Sequence, residues 1–162
     1  MTEGLARRRR AARAFIITPQ AEVLMMRVRL PRGGDAFWIV PGGGLEDGES
    51  YQDALQRELA EELGLSGIEV GPLIWRRDHT FDWDGGRLRQ YEQYYLVHTE
   101  RFAPRMLDDR EQLFVHSFQW FPIAELDRVP ERLTPLSIHR ILSELLADGP
   151  PVSPPPVEVL VD

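Results

Sequence analysis

The sequence predicts an α/β fold: a three-layer α/β/α sandwich around a mixed sheet. Three observations lead there. Short alternating apolar runs bounded by Gly, Pro and Asp fill most of the chain, two helical periodicities interrupt them, and 162 residues with 43% hydrophobic content suit one domain. Strands are predicted at Arg13 to Thr18 and Val23 to Arg29, joined by a turn at Pro19-Gln20, and at Ala36 to Val40. Further strands fall near Glu69 to Trp83 and Gln90 to His98, linked by Asp84-Gly85-Gly86, and near Phe114 to Phe121. Pro135 opens a last helix, Leu136 to Leu146, with an apolar face of Leu136, Ile138, Ile141, Leu142, Leu145 and Leu146. Mixed strands between two helices give the three layers.

The first helix is the most informative segment. Ser50 is placed to cap it, Asp53 is a weak capping-box partner, and Gly64 suits the left-handed residue after its last turn, so it runs from Tyr51 to Leu63. At about 100° per residue, Leu55, Leu59 and Leu63 form a core stripe with Tyr51 and Ala54 on its edge. Glu62 falls inside that stripe, Glu58 at its margin, and Glu61 one step further round. A charged helix usually turns its carboxylates to solvent, and this placement does not fit that pattern. Like charges at i,i+4 also cost a bare helix roughly 0.2–0.5 kcal/mol, and burial adds to that. A hard divalent cation answers the mismatch, because it takes oxygen ligands and favours one or two carboxylates together with substrate phosphate. Gly42, Gly43 and Gly44, just upstream, let backbone approach such an ion or an anionic ligand. Arg57 can pair with Glu61 one turn on.

Gly43, five residues, Glu49, seven residues, then Arg57-Glu58-Leu59-Ala60-Glu61-Glu62-Leu63-Gly64-Leu65 resembles a complete Nudix box, with all nine defining positions filled. The lead-in Trp38-Ile39-Val40-Pro41-Gly42-Gly43 and the later Gln119-Trp120-Phe121-Pro122, followed by Glu125-Leu126, are similar to that family too. The resemblance implies a Nudix-like sandwich and hydrolysis of a nucleoside diphosphate linked to another group, with Mg²⁺ or Mn²⁺ required. It implies Glu58 and Glu62 as metal ligands, Glu61 as a ligand or base, and the Gly42 carbonyl as a further ligand. Glu49 is expected to orient Arg57, and Glu46 has no assigned role. The family's general base often comes from a loop well after the box, which points to Asp108, Asp109 and Glu111; Glu111 is the choice. Nucleoside triphosphates including oxidised ones, nucleotide sugars such as ADP-ribose, dinucleoside polyphosphates and capped RNA ends all remain as substrates. The alternative is a catalytically silent Nudix domain that binds a nucleotide as sensor or scaffold; the intact carboxylate set argues for the enzyme.

The alternating segment Trp75 to Trp83 would present Trp75, Arg77, His79, Phe81 and Trp83 on one face. Arg77, Phe81 and Trp83 are therefore candidates to hold substrate, rings stacking a base and the guanidinium meeting phosphate. A half-buried strand packed on a helix gives the same pattern. His98, His116 and His139 have no metal-site spacing.

Composition closes other routes. The chain has no cysteine, so neither disulfides nor a thiolate metal site can form, and its nineteen basic residues are all arginine. His-Glu-x-x-His, Gly-x-Ser-x-Gly and a Gly-Lys phosphate loop do not occur. The apolar stretch Ala14 to Ile17 after the arginine run is too short for a secretory h-region, and nothing approaches a membrane span, so a cytoplasmic protein is expected. With a net charge of −7, the run Arg7 to Arg10 reads as a solvated tail, not a docking patch for nucleic acid. The expected organisation is a basic tail over 1–11, the domain over 12–148 and a proline-rich tail over 149–162. Val157 to Val161 could add a strand to a sheet edge of this molecule or of a partner, homodimers being common in the family, although a disordered tail is the expectation.

Overall fold

The computed structural model describes residues 6–29, 34–83, 85–105 and 115–162. In chain order these form β1 (Arg7–Ile17), β2 (Glu22–Val28), β3 (Phe37–Ile39), β4 (Gly42–Gly44), α1 (Tyr51–Leu63), β5 (Leu73–Trp83), β6 (Gly86–His98) and β7 (Val115–Pro122). A 3₁₀ turn (Ile123–Arg128), β8 (Leu133–Thr134), α2 (Ile138–Asp148) and β9 (Glu158–Val161) complete the chain.

The strands form one mixed sheet in the order β8-β3-β2-β1-β6-β5-β9, with β4 added to β1 and β7 to β2. β1 is central: it runs parallel to β6 from Arg7 opposite Leu88 to Ile17 opposite His98, and antiparallel to β2 and β4. Period-2 alternation sends its side chains to two cores. Phe15 and Ile17, with Tyr94 and Leu96 of β6, pack against Ile138, Ile141, Leu142 and Leu145 of α2. Ala12, Ala14 and Ile16, with Tyr95 and Val97, pack against Leu55, Leu59 and Leu63 of α1. This is the predicted α/β/α sandwich. No helix among the described residues is long and apolar enough to cross a membrane.

Helix α1 has the predicted bounds, with Ser50 Oγ accepting from Asp53 N–H (3.0 Å) and Gly64 at φ 68°. Other expectations need correction. α2 begins at Ile138, two residues late, after a turn in which Ile138 N–H donates to the Pro135 carbonyl (3.0 Å), which leaves Leu136 exposed before the helix; Leu146, within the helix, is exposed too. The arginine run is not a tail: Arg7 to Arg10 belong to β1 and pair with Leu88 to Tyr91, their side chains exposed. The C-terminal segment is not a disordered tail either, because β9 pairs in parallel with β5 of the same molecule. In both cases an open neighbouring edge supplies the backbone partners that the local sequence lacks.

A candidate active-site cleft

A cleft of about 740 Å³ opens on the α2-facing side of the sheet. One end is built by α1 and the glycine strand β4, its floor by β1, β6 and β5, and its other end by Phe81, Trp83 and Asp162; Met26, Val28, Phe37 and Ile39 form an apolar wall.

At the acidic end, Glu62 is 2% exposed and Glu58 9%, although both are carboxylates. Gly42 N–H donates to Glu62 Oε1 at 3.1 Å, so a backbone amide of β4 meets a side chain of α1. Gly42 sits at φ 150°, and a side chain there would overlap the Ala12 carbonyl and Arg13. A methyl on Gly43 would lie 2.5 and 2.6 Å from the Glu58 carboxylate oxygens. These two glycines allow the helix to bring its acids against the strand. The helical periodicity thus placed Glu62 and Glu58 correctly on the buried side of α1.

Arg57 ties this end together. It donates to both oxygens of Glu49 (2.8 Å each), to the Gly44 carbonyl (3.0 Å), to Glu58 (3.0 Å) and to Glu61 (3.4 Å), with Glu46 at 3.8 Å. The bidentate bond to Glu49 comes first among the causes that raise the Arg57 pKa, and the same bond holds Glu49 down at about 2. The expected pairing with Glu61 exists but is the longer contact; Glu49 is the principal partner. The Glu61 side chain is 44% exposed.

The floor contains a group that the sequence pattern did not single out. Glu92, 1% exposed, accepts from Arg77 Nε (2.7 Å), Arg13 Nε (2.8 Å), Gln90 (3.0 Å) and the Tyr94 hydroxyl (3.1 Å). Burial pushes the Glu92 pKa up, but the two guanidiniums outweigh it and hold the group at about 2. Two guanidiniums, that of Arg77 buried and that of Arg13 nearly so, share one carboxylate, which leaves a positive charge under the cleft. Arg77, a substrate-contact candidate, is therefore 3% exposed and committed to Glu92. The available signal was Gln90 and Glu92 standing on the same face as Leu88 and Tyr94, polar residues in an otherwise apolar alternation. Trp75, the first residue of the proposed face, lies in the core with Arg140 over its ring at 5.7 Å. His79, Phe81 and Trp83 do line the cleft, His79 and Phe81 with ring centroids 4.6 Å apart. Asp108, Asp109 and Glu111 lie outside the described residues.

The acidic end fits a hard divalent cation in its donors. Glu46, Glu49, Glu58 and Glu61 all lie within 3.8 Å of a single guanidinium, and Glu62 adds a further acid, so negative charge exceeds positive locally. Among the described residues no three carboxylate or imidazole groups converge into a ready cation cage. Glu58 and Glu61 bond to Arg57, while Glu62 takes the Gly42 amide.

A mixed sheet between two helices, with an acid-bearing helix set against a glycine strand, is an architecture shared with known proteins. The chain belongs to the NUDIX domain family, whose model matches residues 7–141. It is 34% identical over 142 residues to a Mycobacterium tuberculosis protein named as a putative mutator protein, MutT4, covering 83% of this chain and 54% of that one. It is 55% identical over 116 residues to part of an octanoyltransferase of Myxococcus xanthus, covering 69% of this chain but 30% of the relative. The crystal structure of a MutT NUDIX hydrolase from Burkholderia pseudomallei superimposes with a TM-score of 0.64 at 26% identity, over 86% of this chain and 98% of that one. The chain thus spans about half of the first relative and under a third of the second.

Proposed function

We propose that the protein is a metal-dependent Nudix pyrophosphohydrolase that cleaves a nucleoside diphosphate linked to another group. The observation that carries this reading is the pair Glu58 and Glu62, buried against β4 at the end of a cleft whose floor carries net positive charge. Glu58, Glu62 and Glu61, with the Gly42 carbonyl, would hold Mg²⁺ or Mn²⁺. Such an ion, when bound, neutralises phosphate oxygens and acidifies water. Arg57, fixed by Glu49, orients Glu58 and Glu61. Glu61, half-exposed, would take a proton from an attacking water, and Glu111 is the candidate base from the later segment. The positive charge shared by Arg13, Arg77 and Glu92 favours a polyphosphate chain along the floor, and the rings of Phe81 and Trp83 offer a surface for the nucleoside.

A panel of nucleoside triphosphates, nucleotide sugars, dinucleoside polyphosphates and capped RNA, assayed with Mg²⁺ and Mn²⁺, tests the proposal. Release of a mononucleotide or phosphate supports it. Tight binding with no product from any of them would favour a silent nucleotide-binding domain.

A further inference from the structure

β9 follows a proline-rich stretch and docks on the outer edge of β5, Glu158 opposite Arg77 and Leu160 opposite His79. Its continuation is pinned on both sides. Asp162 N–H donates to the Thr80 carbonyl, and Arg87 donates to the Asp162 carbonyl, each at 2.9 Å. Alternation along the strand puts the Asp162 side chain on the face of Leu160 and His79, inside the cleft. There its carboxylate meets His79 Nε2 at 2.6 Å, with Arg132 at 3.6 Å. A carboxylate only accepts, so Nε2 carries the proton and the imidazole fixes the acid's orientation. The Asp162 side chain is still 42% exposed, and a carboxylate offers about four acceptor positions, so it retains capacity for a ligand.

Strands β4, β1, β6, β5 and β9 lie side by side across the cleft; four spacings of about 4.8 Å separate β9 from the glycine strand, and the register steps about five residues further, from Gly43 opposite Ala12 to Asp162 level with Arg7, a diagonal of roughly 25 Å. A nucleotide with its base at Phe81, His79 and Asp162 would run its phosphate chain over Arg77 and Arg13 toward the acidic end. The geometry points to Asp162, aligned by His79, as the specificity-determining residue that reads the nucleobase and selects bases whose pairing edge carries a ring N–H. Guanine N1–H and uracil N3–H donate to a carboxylate. Adenine and cytosine instead turn a ring-nitrogen lone pair toward it, and repulsion offsets their single amine donor. Guanine ranks first, because its 2-amino group adds a second donor beside the first.

This inference rests on the cleft taking a nucleotide, and its test reads binding, not turnover. Calorimetric titration of the full chain with the α,β-methylene diphosphates of guanosine, uridine, adenosine and cytidine, in Mg²⁺, is expected to show guanosine at least about tenfold tighter than adenosine or cytidine. In Asp162→Asn, whose amide both donates and accepts, the preference should shrink to within about threefold. Asp162→Ala, which removes the acceptor and keeps the backbone pairing of β9, should lose it likewise. Equal affinities for the four bases in the parent, or a preference unchanged in both variants, would overturn the assignment. A base preference that depends on Asp162 in a protein that hydrolyses nothing would retain the assignment and remove the hydrolase reading; turnover without base preference would do the reverse.

Discussion

Glu62→Gln separates catalytic use of a buried acid from structural use. Glu62 is 2% exposed, and its bond from the Gly42 amide is 3.1 Å long. Glutamine keeps a carbonyl oxygen for that amide, so the loss is the difference between a charged and a neutral bond, about 1 kcal/mol. Against this, a buried ion is removed whose desolvation costs several kcal/mol, along with repulsion from Glu58 one turn away. Coulombic attraction between Glu62 and Arg13 offsets part of that gain. The metal-free variant should therefore be as stable as the parent or up to about 2 kcal/mol more stable, a rise in Tm of at most about 8 °C for a domain of this size. Turnover should fall at least about 100-fold, since even groups behind the ligands of a metal cost about 10–100-fold when removed. Melting curves in excess chelator and steady-state rates in Mg²⁺ measure both quantities. A Tm lowered by more than about 5 °C, or activity within about tenfold of the parent, would refute the reasoning and make Glu62 a structural acceptor.

Glu92→Gln should behave oppositely, because it strands the buried Arg77 guanidinium and the partly buried Arg13: a loss of about 3–5 kcal/mol, read as a drop in Tm of roughly 6–20 °C. The pH dependence has a definite sign. The folded-state pKa of Glu92, about 2, lies below the ordinary carboxylate value of 4.5, so its contribution is present above pH 4.5 and is lost as pH falls toward 2. Urea unfolding at about pH 7, 5 and 3 should show the parent losing stability across that window and Glu92→Gln losing less. Gly43→Ala, which drives a methyl into the Glu58 carboxylate, should cut turnover at least about tenfold with Tm within a few degrees of the parent, as measured by the same two assays. Chelator should abolish turnover, and Mg²⁺ at about a hundred times its Kd should add about 2.7 kcal/mol of stability in thermal melts; activity in excess chelator would remove the metal from the proposal.

The parts legible in the sequence are those written locally. Ser50, the leucine stripe and Gly64 specify α1 within a single stretch, and the helical wheel alone shows Glu62 standing where an apolar side chain belongs. Even the Glu49 to Arg57 bond spans only eight residues. What was not legible depends on partners far away in the chain. Arg13, Arg77 and Glu92 come from three strands, and no local pattern says that an arginine on β1 will share a carboxylate with one on β5. The arginine run and the last strand were misread because each takes its hydrogen bonds from an edge formed elsewhere, by β6 and β5. Neither segment has a strong strand signal: one is four consecutive charges, and the other follows Pro150, Pro151, Pro154, Pro155 and Pro156.

The central position of β1 also sets the order in which the molecule can assemble. The β5–β6 hairpin joins neighbours in the chain and can form by itself early. β1, the first strand in the chain, must wait for β6 to place its parallel ladder, and Arg13 and Glu92, which meet across it, are 79 residues apart. Closing so long a loop costs entropy before any contact repays it, and parallel pairings of this kind form slowly. The ion cluster under the cleft therefore depends on a pairing across 79 residues, whereas α1 and its caps are complete within a single local stretch.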